Sequence, residues 1–383
     1  MMTFARARLF ALPLLAMLAA CSSSPSAPEP GPMPNLPSER VRLERAWKVQ
    51  VGDGVGELGR LRPAVSGEVV AAASHDGVLL ALNAESGKLL WRKKTMLPLS
   101  AGPALGYGMV VAGTGKGDVV AFDAGTGEQR WKVSIGAAVQ SIPALGADRV
   151  IVLSADGVVH ALDRATGEQR WTYSTLVPPL SLRGGAGPLI IGSHVLVPTA
   201  AGKLISLDAD TGIVEWDVRV VSNTGRSELE RMVDIQGELL LDGDSNVYAV
   251  GFQSQLAALN VQEGRKRWQF EVSSVHSLAA GIGNIYVVDT GSTVIALDHE
   301  SGKPVWKQPD LAWRNLVNPV VLGPVLVTGD AEGYAHILSQ SDGGVVGRKR
   351  LHRDHIVSLT VQGELMYAWS SAGALSAWKI KTP

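Results

Sequence analysis

Three stretches of this 383-residue chain hold the residue types from which active centres are built. HRDH, residues 352–355, sets two imidazoles three positions apart with an acid between them. Neutral imidazole is a common metal ligand, but this spacing alone is a weak signal, and a solvated loop accounts for it. DGDSN, residues 242–246, has the spaced oxygen donors that open a calcium loop, yet no glutamate comes later where such a loop needs one. GTGKG, residues 113–117, is glycine-rich like a phosphate-binding turn. The segment after it is strand-like, so no helix N-terminus stands ready to receive a phosphate. Neither GxSxG nor HExxH occurs, and the eight histidines are scattered. These residues assemble no catalytic constellation, no metal site and no cofactor site.

The elements that would position such groups are repeats. TGEQRW occurs twice, at residues 126–131 and 166–171, each time closing a longer unit. DGVLLALNAESGKLLW, KGDVVAFDAGTGEQRW, DGVVHALDRATGEQRW, AGKLISLDADTGIVEW, QSQLAALNVQEGRKRW and GSTVIALDHESGKPVW end at Trp91, Trp131, Trp171, Trp216, Trp268 and Trp306. A seventh copy has Gly347 in place of the Trp, and an eighth, AGALSAWKIKTP, runs out with the chain. Within a copy, Val158, His160 and Leu162 alternate with Val159, Ala161 and Asp163, the period of a strand. The Asp-x-x-Thr-Gly segment between strands is a turn, its Asp and Thr bonding their own backbone and its Gly supplying positive φ. Upstream, SIPALGADRVIVLSADG reads as two more strands.

Four antiparallel strands per unit of about forty residues predict an all-β fold, an eight-bladed β-propeller. LERAWKVQVG, from Leu43, reads as the missing outer strand of blade eight, so the N-terminal strand closes the ring and removes two sheet edges. Trp47 then joins Trp91, Trp131, Trp171, Trp216, Trp268 and Trp306 as one wedge per seam, its flat amphipathic ring filling space while its N–H finds an acceptor. Recurrence at one register from blade to blade marks these tryptophans as structural rather than as a ligand-binding box.

The N-terminus is of another kind. Arg6 and Arg8 precede an apolar run, residues 9–20, too short to span a bilayer and shaped as a secretory signal. It ends LAAC, and Cys21 is the only cysteine, so no disulfide forms within the chain. The segment looks like a bacterial lipobox, which implies cleavage before Cys21 and lipidation there; Ser22 at the next position favours the outer membrane. Residues 21–40, rich in Ser and Pro, read as a disordered tether, and residues 41–383 as the propeller. A formal net charge of −1 and no basic stripe give no support to nucleic-acid binding.

Departures from the repeat locate function. Trp-to-Trp spacing is 40 residues twice, then 45 to Trp216 and 52 to Trp268. Both insertions fall between the last strand of one blade and the first of the next, so they emerge on one face. The first, TLVPPLSLRGGAG, residues 175–187, is stiffened by Pro178 and Pro179, which would aim Leu180 and Leu182 the same way with Arg183 beside them. Exposed leucines and an arginine on a stiff loop suit a protein partner. The second begins at Asp217 and contains SELERM, residues 227–232, with the Ser and Glu of a helix cap.

The chain carries two resemblances. Its blade repeat resembles that of quinoprotein dehydrogenases, which implies pyrroloquinoline quinone at the ring centre. The vicinal cysteine pair found in many of those enzymes is impossible here. Lipobox, Pro-rich tether, eight blades and LSLRG on the third connection together resemble the BamB family, lipoproteins of the outer-membrane β-barrel assembly machinery. That resemblance implies a non-enzymatic scaffold without cofactor, lipid-anchored in the outer membrane and facing the periplasm. Its implied partners are the periplasmic POTRA domains of BamA, the other machinery subunits and unfolded outer-membrane clients. It places partner contact at Leu180, Leu182 and Arg183, and at an acidic pair whose first member is Asp234 and whose second falls on Gln236. The alternatives are a quinone-dependent enzyme and a generic periplasmic binding propeller.

Overall fold

The structure, a computed structural model, describes residues 30–36, 39–56, 60–182, 184–221, 233–243 and 245–381. Every regular element among them is a strand. The strands form eight blades, each with four neighbouring antiparallel strands, arranged as a ring. Blade two, for instance, runs outward through Leu99–Gly106, Met109–Thr114, Asp118–Asp123 and Gln129–Ser134.

The alternation read in Val158–Asp163 does not appear in its burial: residues 159–162 are all buried. Middle strands press against a neighbouring blade on both faces, so both sides of the pleat are core. Met109–Thr114 is buried throughout for the same reason. Only the outermost strands alternate, as Gln129–Ser134 does around Trp131.

Seven of the seams are made by one Trp and one Gly. Trp131 donates its Nε1–H to the Arg164 carbonyl of the next blade at 2.8 Å, and the other six tryptophans make the equivalent bond at 2.8–3.0 Å. The receiving turn is shaped by its Asp. In blade two, Asp123 Oδ1 accepts the N–H groups of Gly125 and Thr126 at 2.9 Å, and Thr126 Oγ1 accepts that of Glu128. The next residue in that turn, Gly127, has φ +71°, and a Cβ there would stand 2.5 Å from Cδ2 of Trp91. TGEQRW therefore repeats because its Gly is the floor for the preceding blade's Trp, while its own Trp covers the next blade's Gly.

Closure is as expected. Arg42–Gln50 pairs antiparallel with Ala374–Lys381 as the outermost strand of blade eight. Trp47 is buried against blade one and bonds the Ala84 carbonyl. Blade seven lacks a Trp for a steric reason: Arg40 and Val41 both donate to the Val346 carbonyl, and a Cβ at Gly347 would strike the Val41 carbonyl. Residues 30–36, within the segment read as a tether, are held against the ring. Gly31 donates to the Ala312 carbonyl and Arg314 to that of Gly31, and Arg348 donates to the Pro34 carbonyl at 2.8 Å. Cys21 and the signal segment lie outside the described residues.

One strand was not anticipated. Arg60–Leu61 runs parallel to Leu99–Gly106 on the inner side of blade two, making that sheet five-stranded. Arg62 continues the pairing by donating its N–H to the Gly102 carbonyl at 3.1 Å.

Candidate partner-docking surface

The motifs that could have carried chemistry are structural. HRDH joins Val345–Arg350 to Ile356–Gln362, the connection between blades seven and eight. It is not wholly solvated: His352 is buried and meets Ser376 Oγ at 2.9 Å. DGDSN is the first turn of blade five, with Gly243 at φ +62° and Asp244 outside the described residues. GTGKG is the turn leading into Asp118–Asp123. Among the described residues no three His, Cys, Asp or Glu side chains gather as a metal site.

A quinone at the ring centre does not fit the residues there. The inner strand Arg60–Leu61 occupies that region beside a cavity of about 250 Å³; among the described residues its one ring side chain is His276 and its one carboxylate, Glu238, is already paired with Arg62 at 3.2 Å. No broad aromatic plane is offered for stacking, and one committed carboxylate is a poor cation ligand. The cleft under the first long loop, about 70 Å³, falls well below the roughly 300 Å³ of a small-molecule pocket.

The two long connections form a built surface of another sort. Residues 175–188 join Gln169–Ser174 to Leu189–Ile191, and residues 220–239 join Val214–Arg219 to Leu240–Asp242. Asp217, read as the start of the second insertion, still belongs to the strand, where it pairs with Ile205. Both connections lead from an outermost strand to the next innermost one, so they share a face. SELERM lies outside the described residues, as does Arg183.

The loops are knitted to each other through backbone donors of the first. Leu182 N–H donates to Asp234 Oδ2 at 3.1 Å, Ala186 N–H to the Ile235 carbonyl at 3.0 Å, and Gly187 N–H to Glu238 Oε2 at 3.0 Å. The second loop is fixed in turn: Ile235 bridges Gly251, and the Asp234 carbonyl accepts Phe252 N–H. Loops that satisfy their polar backbone inward are free to hold apolar side chains outward. Leu180 is 48% exposed and Leu176, not singled out from the sequence, 78%. Leu182 is half-buried. The two leucines of LSLRG thus differ in exposure, because the Leu182 amide is drawn inward by a carboxylate.

Asp234 is itself buried, at 2% exposure, with its carboxylate turned to the first loop. Burial pushes its carboxyl up to about 7, while the Gln236 side chain, the Leu182 N–H and the Arg60 charge pull it back. Gln236, where an acidic residue was expected, is buried as well, and its Oε1 accepts a hydrogen bond from Arg60.

The chain is similar to known proteins along its length. The family described as "Outer membrane protein assembly factor BamB" matches residues 42–96, 75–308 and 292–382. A protein of that name from Pseudomonas aeruginosa is 49% identical over 383 residues, all of both chains. One from Alkalilimnicola ehrlichii is 47% identical, covering 98% of this chain and 97% of the relative. The crystal structure of BamB from Moraxella catarrhalis superposes with a TM-score of 0.82 at 29% identity, over 88% of this chain and 100% of that one. A europium-containing methanol dehydrogenase superposes with a TM-score of 0.70 at only 14% identity, over 88% and 93% of the two chains, which is likeness of fold alone. With the family model matched across residues 42–382 and a relative 49% identical over the full length, the chain belongs to the family of the outer membrane protein assembly factor BamB.

Proposed function

We propose that this chain is a non-enzymatic scaffold in outer-membrane protein assembly, and that its two knitted loops dock onto the periplasmic POTRA domains of BamA. The observation that carries the reading is the inward anchoring of the first loop at Leu182, Ala186 and Gly187, with Leu176 and Leu180 left exposed. A rigid loop with apolar tips loses little conformational entropy on binding. Leu180 and Arg183 make the contact in this reading, and Leu182 and Asp234 hold the loop in shape for it. The poor fit of a quinone to the ring centre supports the scaffold over the enzyme.

The same reading assigns residues 1–20 to a signal peptide, a lipid to Cys21 and the linker to residues 21–40. The lipid would hold the ring at the periplasmic face of the outer membrane, where unfolded clients and the other machinery subunits are met. Photo-crosslinking tests the docking site. A photoreactive residue at position 180 should crosslink to BamA in intact cells. One at Tyr107, exposed on the turn between the first two strands of blade two and so on the opposite face, should not. Equal labelling from both positions, or none from position 180, would set the docking assignment aside.

A further inference from the structure

The inner strand Arg60–Leu61 and the residue after it have a use that the propeller itself does not demand. The ring is closed without them, by Arg42–Gln50, and the other blades among the described residues do without an added inner strand. Both arginines reach from blade two to the second docking loop. Arg60 donates through Nη2 to Gln236 Oε1, and Arg62 Nη2 lies 3.2 Å from Glu238 Oε1. Each receiving segment of that loop then holds the first loop by a backbone amide. Asp234, two residues before Gln236 and within the field of Arg60, accepts Leu182 N–H at 3.1 Å. Glu238 uses its other oxygen to accept Gly187 N–H at 3.0 Å. Two parallel chains therefore run from the inner strand, through the second loop, to the two ends of the segment that carries Arg183.

We propose that Arg60 and Arg62 are positioning residues of the docking site: a two-armed strut, built from the N-terminal inner strand, that fixes the second loop and through it the first. This rests on the docking role proposed above. The physical reason for arginine is its rigid fork of donors, which holds an oxygen acceptor in a set direction as a lysine does not. Partial burial strengthens such bonds because water does not compete for the acceptor. The anchor of the strut is backbone pairing to Leu99–Gly106, in the rigid body of blade two, so the loops are referenced to the ring and not only to each other.

The test has one readout that involves no partner. In the mature chain, amide hydrogen exchange is measured on peptides covering residues 175–188, with the strands Met109–Thr114 and Tyr334–Ser339 as internal references. Arg60→Gln together with Arg62→Gln should speed exchange across 175–188 by about tenfold or more, leaving the reference strands unchanged. Affinity for the purified POTRA domains of BamA should fall by about tenfold, the equivalent of 1.4 kcal/mol. Arg60→Lys, which keeps the charge and hydrogen-bond donors but not the planar fork, should recover part of both losses. Trp306→Phe, at a distant seam, should lower the melting temperature without altering either readout. Unchanged exchange over 175–188 in the double variant overturns the strut. Faster exchange with wild-type affinity overturns its role in docking. Should the wild-type chain itself not bind those domains, the proposed docking role fails, while the exchange result still decides whether the strut exists.

Discussion

Asp234 sits in a different environment from the one its sequence position suggests. Its place in the sequence offered it as half of an acidic partner-binding pair, but the side chain is buried and accepts an amide from its own protein. No local pattern signals this, because burial there is created by a loop about fifty residues earlier folding over it. Gln236 has the same history: a departure from the expected acid, it is the acceptor for Arg60. The raised carboxyl carries a signed consequence. The folded state holds the Asp234 proton up to about pH 7, whereas the unfolded chain releases it in the usual carboxylate range near 4. Stability from this group is therefore present at low pH, lost as pH rises through that window, and level above it. Asp234→Asn removes the titration and keeps an acceptor for Leu182. The melting temperature of wild type minus that of the variant should fall between pH 4.5 and pH 8. A constant difference would mean that water reaches the carboxylate.

At the scale of elements, most of the fold was legible, because each blade repeats its turn and most repeat its Trp. Trp47 was found to complete the set although it lies more than three hundred residues from the strands it joins. Trp47→Ala should cost about 3–5 kcal/mol, since a large buried ring and its bond to Ala84 are lost at the closing seam. Chemical denaturation measures this directly. Gly127→Ala should cost more than the roughly 1–2 kcal/mol of a left-handed backbone, because the new methyl also meets the Trp91 indole. If that variant melts like wild type, the Trp–Gly seam is not what fastens one blade to the next. The double-sided burial of middle strands was hidden by polar interruptions such as His160, which bonds Ser154 and Gln169 within the core. Arg60–Leu61 is not legible in the sequence, because two paired residues carry no periodicity and the register is set by Gly102 in another blade. Conversely, the two insertions were visible from Trp spacing alone, since a fixed repeat makes any added length conspicuous.

For the whole molecule, the anchor and docking face of the proposed function belong to one question, which is how the ring would be presented to its partner. Residues 30–36 meet the ring near Ala312, on the connection between blades six and seven, and all such connections share a face with the docking loops. Cys21→Ser should move the chain from the membrane to the soluble periplasmic fraction, or leave its signal peptide uncleaved. A processed, membrane-bound variant would contradict lipidation at Cys21. The docking site itself is tested most directly by calorimetric titration of the mature chain with the purified POTRA domains of BamA, comparing wild type with Leu180→Asp plus Arg183→Glu. Leu180 is exposed on the connection between two blades and Arg183 follows it in sequence, so the melting temperature should stay within the small range of surface substitutions, about 0.5 kcal/mol in stability. The expected result is binding by the wild type and a loss of about 2 kcal/mol or more, roughly thirtyfold, in the variant. Wild-type affinity in a normally folded variant would contradict the account.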